Sequence, residues 1–196
     1  MHLEIVALER VHQPLPSHFD FPPSTTYTLT VHDRPDASLL HARIRHANVV
    51  IVTTTKLTAA TLSPDVTPNL RLVAVMATGT DPVDLEACRA RGIRVTNCPA
   101  ANLDSVSEHA ISLYFAARRR TAVLDRAVRR VPSEWKRDGS LNPLLRFRSG
   151  EPPLSCGDEV LGVIGYGALG AFVLFDGDGG GADVLQASAL RLPGVL

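Results

Sequence analysis

The stretch Val160-Leu161-Gly162-Val163-Ile164-Gly165-Tyr166-Gly167-Ala168-Leu169-Gly170 decides the reading of the chain. An apolar run that enters G-x-G-x-x-G is the local pattern of a dinucleotide-binding βαβ unit. Its first Gly makes the tight turn, its second lets backbone approach a pyrophosphate, and its third lets helix lie on strand. Such a unit continues through a helix to a second strand, roughly 30 residues in all. Beyond Gly170 the residues read otherwise. Residues 171–175, Ala-Phe-Val-Leu-Phe, read as a strand, and 176–183 as a Gly/Asp loop. Asp176 imitates a ribose-binding acid but comes about one helix too early. The Asp-Gly-Asp-Gly-Gly-Gly run lacks the later ligands of a calcium loop and reads as a connection. The expectation is a nucleotide-type turn without the helix that would hold a pyrophosphate, in a lobe truncated just after it.

Upstream, residues 132–154 carry charges, Pro143, Pro152 and Pro153, and read as an exposed connection. Before them, one long helix is expected from near Ser105 to near Arg130. Ser105-x-x-Glu108 has the form of a capping box, and Val106, Ala110, Leu113, Ala117, Leu124, Val128 and Val131 recur at helical spacing up to Pro132. The first hundred residues alternate short β-rich runs with helical patterns, which predicts a parallel sheet flanked by helices. The strand candidates are 3–8, 27–31, 48–54, 70–76 and 93–97. The third and fourth are near-continuous apolar runs, as in strands buried on both faces. One helix is expected from Pro35-Asp36. Another is expected from Asp81 as N-cap, with Pro82 first, through Leu85 and Cys88 to Gly92. The Pro-rich segment 13–24 reads as a loop.

Composition bounds the partners. The chain has 196 residues, 45% hydrophobic, with 20 basic against 20 acidic side chains, a balance that argues against an electrostatically driven nucleic-acid or membrane partner. The N-terminus carries an early acid, Glu4, and no long apolar run, so neither a signal peptide nor a membrane span is expected. Cys88, Cys98 and Cys156 give no disulfide framework and no metal knuckle, which suits a cytoplasmic protein without a metal site.

Three stretches in this order resemble the D-isomer-specific 2-hydroxyacid dehydrogenases, the group that includes glycerate, hydroxypyruvate and formate dehydrogenases. They are Ala77-Thr78-Gly79-Thr80-Asp81-Pro82-Val83-Asp84, Asn102-Leu103-Asp104-Ser105-Val106-Ser107-Glu108-His109, and Leu161 through Gly170. The resemblance covers about residues 1–170. It implies an α/β fold: a flavodoxin-like or Rossmann-like parallel-sheet substrate lobe (1–104), a long interdomain helix and connection (105–154), and the truncated start of an NAD-binding lobe (155–196). It implies that Thr78 and Gly79 present backbone N–H groups to a substrate carboxylate and that Asn102 lines the same pocket. Gly165, Tyr166, Gly167, Ala168, Leu169 and Gly170 would receive the pyrophosphate of NAD or NADP. The implied partner is a small 2-hydroxy or 2-oxo acid.

The family's catalytic Arg, Glu and His come from the second lobe. Here the last His is His109, the last Glu is Glu159, and Arg191 is the only Arg after Arg148, in no matching context, so no catalytic residue is assigned. Two readings stand. One is an oxidoreductase acting on the CH–OH group of a 2-hydroxy acid with NAD or NADP. The other is a non-catalytic truncated product or interaction module that retains the substrate lobe. Glu108 and His109 are adjacent on a helix and point about 100° apart, so capping and packing explain them better than proton transfer. The arginines from Arg118 to Arg130 read as a solvated face or as contacts to a second copy in a homodimer. Trp135 reads as a buried anchor.

Overall fold

The computed structural model describes residues 1–12, 14–153, 160–165, 167–175 and 190–191. Tyr166, Cys156, Glu159, Asp176 and the 176–183 loop lie outside the described residues. Two compact units divide the chain, Met1–Ala101 and Asn102–Leu196.

The first unit is a five-stranded sheet, β1 (His2–Ala7), β2 (Thr26–Val31), β3 (Val49–Val52), β4 (Leu72–Val75) and β5 (Arg94–Thr96), in the order β2-β1-β3-β4-β5. Every pairing is parallel, for example Val50 opposite Val73 and Ile5 opposite Val49. β3, β4 and β5 fall inside the stretches expected from sequence, β1 and β2 each begin one residue earlier than expected, and the order is the flavodoxin-like one. Alternation divides the side chains between two faces. Val6, Leu8, Val50, Val52, Val73 and Val75 form one core with Ile44, Ala47, Leu57, Leu62, Leu70, Val83, Cys88 and Ile93. Leu3, Ile5, Ala7 and Ile51 form a second core, packed by Leu15, Phe19 and Tyr27. The Pro-rich segment is a loop in its described part. Phe19 and Phe21 stack edge-on against Tyr27, and the Tyr27 hydroxyl accepts from the Phe19 N–H at 3.0 Å.

Two short helices cover the first core, and both begin later than their sequence signals. α1 is Leu40–Ile44, because the Asp36 carboxylate is spent on a local turn with the N–H and hydroxyl of Ser38. α2 is Leu85–Ala90, with Asp84 rather than Asp81 as N-cap, accepting from the Ala87 N–H at 2.9 Å. Pro82 sits in a turn before it, closed by Val83 N–H on the Thr80 carbonyl at 2.9 Å. Gly92, at φ +69°, follows the helix as expected.

The second unit departs further from expectation. The single long helix is two, α3 (Leu103–Arg118) and α4 (Thr121–Arg129), separated where Arg120 turns left-handed at φ +53°. The Thr121 hydroxyl donates to the Ala116 carbonyl at 2.8 Å and Arg120 reaches the Arg146 carbonyl at 3.0 Å, side-chain bonds that replace helix continuation. The capping box does not form. Ser105 is already inside α3 and its hydroxyl donates back to the Asn102 carbonyl at 3.2 Å. Glu108 and His109 are exposed on α3.

The connection holds two short helices, α5 (Glu134–Asp138), capped by Ser133, and α6 (Asn142–Leu145). Trp135 is 57% exposed, so it is no buried anchor. Arg129 and Arg130 pair with Asp125 and Glu134, and Arg118 lies 5.1 Å from the Phe147 ring centre. Beyond them come β6 (Val160–Leu161), α7 (Ala168–Phe175) and β7 (Leu190–Arg191), with β6 and β7 antiparallel. The strand expected at 171–175 is therefore a helix, which packs on α3. A five-residue apolar run has no periodicity to tell the two apart, and contact with α3 decides. None of the described helices is long and apolar enough to cross a membrane.

Candidate functional site

In open parallel sheets ligands bind outside the carboxyl ends of the strands, near the point where strand order reverses. Here that point lies between β1 and β3. Glu9, two residues past β1, has a wholly buried side chain there. Its Oε1 accepts three successive backbone N–H groups, from Thr53 at 2.8 Å, Thr54 at 2.5 Å and Thr55 at 2.7 Å. Its Oε2 accepts the Thr54 hydroxyl at 2.7 Å and lies 3.5 Å from Nε2 of His12. Burial alone raises this carboxyl's pKa; the Thr54 hydroxyl and the N–H groups of Thr55, Thr53 and Thr54 outweigh it. The pKa falls from 4.5 to about 2. The hydroxyls of Thr53 and Thr55 are buried with no hydrogen-bond partner among the described residues.

The same loop continues toward the next strand end. Leu57 N–H donates to the Pro82 carbonyl at 2.8 Å and Asp84 N–H to the Leu57 carbonyl at 3.0 Å, with a parallel bridge between Leu57 and Val83. Thr78 and Gly79, the expected carboxylate-binding residues, stand together just past β4 and are exposed. The Asn97 side chain donates to the Thr78 carbonyl at 2.7 Å, and Cys98 N–H to the Ala77 carbonyl at 3.0 Å. A Cβ on Gly79 would meet the end of the Asp81 side chain, which would have to swing aside to admit it. Asn102 opens the second unit just before α3, its carbonyl accepting from Val106 N–H at 3.0 Å.

In the second unit the glycines of the quoted motif hold three different geometries. Gly165 has φ +91°, a conformation that an L side chain rarely adopts. A Cβ on Gly170 would run into the Gly165 carbonyl oxygen, so the helix closes on the turn only because residue 170 is bare. A Cβ on Gly167 meets no described atom within 4 Å. Ala168, Leu169 and Gly170 form the first turn of α7, and Ala171 N–H closes it on the Gly167 carbonyl at 2.9 Å. The first N–H groups of a helix lack partners within it, and the helix dipole favours an anion there. The expectation that this turn lacks its helix is thereby overturned.

Sequence reasoning missed Glu9, His12 and the Thr53-Thr54-Thr55 run. The available signals were an acid directly after an apolar strand and three threonines after another, and neither names the other as partner. Among the described residues, no group of three or more His, Cys, Asp or Glu is arranged to hold a metal ion.

The comparisons with known proteins agree with this fold. The chain is 35% identical to the glycerate dehydrogenase of Methylorubrum extorquens over 155 residues, covering 79% of this chain and 46% of that protein. Its fold matches the NADPH-dependent glyoxylate/hydroxypyruvate reductase of Sinorhizobium meliloti, solved with NADP and malonate. That match has a TM-score of 0.62 at 27% identity and covers 87% of this chain and 48% of the other. It also matches the D-lactate dehydrogenase of Aquifex aeolicus, solved with NAD and lactic acid, at a TM-score of 0.59 and 26% identity, over 75% of this chain and 40% of the other. The chain thus spans about half the length, or less, of these relatives. The model of the D-isomer specific 2-hydroxyacid dehydrogenase catalytic domain matches residues 5–188, and the chain belongs to that family.

Proposed function

We propose that these residues provide the substrate cradle and the diphosphate turn of a nicotinamide-dependent dehydrogenase that acts on the CH–OH group of a small 2-hydroxy acid. One observation carries the reading. At the head of α7, Gly167 faces no described atom, between a left-handed Gly165 and a Gly170 that touches the turn itself. A dinucleotide's diphosphate needs that combination of tight turn, close backbone approach and helix packing, so the residues present fit the group. When bound, the nicotinamide supplies the hydride acceptor or donor. Tyr166, Ala168 and Leu169 complete the turn in this proposal, and NAD and NADP both remain candidates.

Thr78 and Gly79 take the substrate carboxylate through backbone N–H groups at the end of β4, and Asn102 lines the pocket. Their task is binding and orientation, which brings reacting atoms to near-attack distance. No proton transfer is assigned to them. A homodimer is the proposed assembly, supported by the exposed Leu113, Phe115 and Val128, and the cytoplasm the proposed compartment.

Fluorescence titration of the chain with NADH and NADPH tests the reading. Saturable binding that disappears in Gly167→Trp is the expected result. Absence of saturable binding to either cofactor overturns it and favours the alternative of an interaction module that keeps only the sheet.

A further inference from the structure

We propose that Glu9 is an internal anion that closes the crevice between β1 and β3 and thereby moves the ligand seat of this sheet one strand along, to the loops after β3 and β4. The proposal deepens the substrate-cradle reading and rests on it for the identity of the ligand. It starts from placement. The reversal of strand order between β1 and β3 leaves a gap between two diverging chain segments, and sheets of this order bind their ligands there. In this chain the gap holds the Glu9 carboxylate.

The backbone around it is built for an anion. Three consecutive N–H groups, those of Thr53, Thr54 and Thr55, converge on the single oxygen Oε1 at 2.5–2.8 Å. Successive N–H groups turned to one point form an anion-binding concavity, of the kind that elsewhere takes phosphate or carboxylate ligands. The Thr54 hydroxyl engages the second oxygen, with the half-exposed His12 ring beside it. No solvent reaches the Glu9 side chain, and the three backbone N–H groups that converge there are already taken by its carboxylate.

The consequence travels along one short segment. Residues 53–55, held by Glu9, lead directly into Leu57, which is hydrogen-bonded on both sides to Pro82 and Asp84. That pairing borders the loop of Thr78 and Gly79. Glu9 is therefore a positioning residue. It touches no ligand, but it sets the backbone of the loop that walls the open strand ends of β3 and β4.

Backbone amide NMR on the 196-residue chain tests this, with sodium formate as the probe for the gap and glyoxylate as the probe for the seat. In Glu9→Ala, formate is expected to produce saturable shifts at the amides of Thr53, Thr54 and Thr55 and to restore their protection from hydrogen exchange, while chloride does neither. The unmodified chain is expected to show no such shifts. Formate shifts of equal size in both chains overturn the proposal, as does a folded Glu9→Ala variant that binds no formate.

Should Glu9→Ala fail to fold, Glu9→Gln keeps the shape and removes the charge. It is expected to lose exchange protection at these three amides by about tenfold or more, while β1 and β3 stay protected. Unchanged protection overturns the proposal, since a space-filling role needs no charge. A silent glyoxylate titration of the unmodified chain overturns the substrate reading alone and leaves the formate result to decide on Glu9.

Discussion

Two backbone concavities in this chain face opposite fates. At the end of β3, three N–H groups converge on a carboxylate that the chain itself supplies from Glu9. At the head of α7, a Cβ on Gly165 or Gly167 would meet no described atom within 4 Å. Both are arrangements that stabilise negative charge, yet one is filled at folding and the other is left accessible. The difference teaches that an anion-binding backbone is not by itself a ligand site. What distinguishes the two, among the described residues, is whether an acid of the same chain lies within reach. A buried concavity without an occupant would strand its N–H groups at about 1–3 kcal/mol each, whereas one at a surface helix end can wait in water.

Breaking the filled concavity should have the largest effect. Glu9→Ala is expected to destabilise the chain by about 3 kcal/mol or more in urea unfolding, because three buried donors lose their acceptor at once. A loss under about 1 kcal/mol would place those donors in contact with water and dissolve the contrast with the α7 turn.

Acid should act through the same group. Glu9 titrates at about 2 when folded against 4.5 as the free side chain, so the folded state holds its proton more weakly. The sign follows. Stability from Glu9 is complete above pH 4.5 and is lost as the pH falls from there through about 2. The shift corresponds to on the order of 3 kcal/mol. Unfolding free energies of the chain and of Glu9→Gln, measured from pH 7 to pH 2, should converge at the acid end; parallel curves would count against the carboxylate.

The open concavity is probed next. Gly170→Ala places a methyl group against the Gly165 carbonyl and is expected to cost about 1–3 kcal/mol through overpacking, read by thermal unfolding, with NADH binding lost as well. A smaller effect calibrates the scale. Asp84 gives one carboxylate acceptor to one N–H at the start of α2, so Asp84→Ala is expected to cost about 1 kcal/mol, well below Glu9→Ala. The smallest change in stability belongs to Gly167→Ala, within about 0.5 kcal/mol, since its Cβ meets no described atom. Its NADH affinity should nevertheless fall, measured by the same fluorescence titration. A Gly167→Ala chain that binds NADH as before would show that the open space is not where a diphosphate sits.

The legibility of the molecule differs between its units for a physical reason. The five strands could be read because buried parallel strands are short apolar β-branched runs, and Val49-Val50-Ile51-Val52 or Leu72-Val73-Ala74-Val75 have no other economical fate. Helix ends were read less well, since several acids compete for each cap. Asp81 and Asp84 are both plausible N-caps by type, and only Asp84 reaches the Ala87 N–H. The break at Arg120 was invisible in the periodicity, which runs through it unbroken. It depends on a hydroxyl, that of Thr121, taking a helix carbonyl. Residues 171–175 were misread because five apolar residues fit a strand or a helix equally, and contact with α3 chose the helix.

Of the proposed site, sequence alone determined the parts that are local. The turn glycines Gly165, Gly167 and Gly170 follow from residue type and spacing, because backbone conformation near a glycine is governed by its immediate neighbours, whereas Thr78 and Gly79 rest on the family resemblance and on their place at the carboxyl end of a strand. The filled crevice was decided only by the tertiary structure. Glu9 and Thr54 are 45 residues apart, and nothing in either segment specifies the other. They meet because β1 and β3 pair in parallel while β2 is sent to the outer edge, so the carboxyl ends of two distant strands come to lie side by side. Pairing of that kind is a property of the whole sheet, set by burial of both its faces, and a single stretch of sequence cannot carry it.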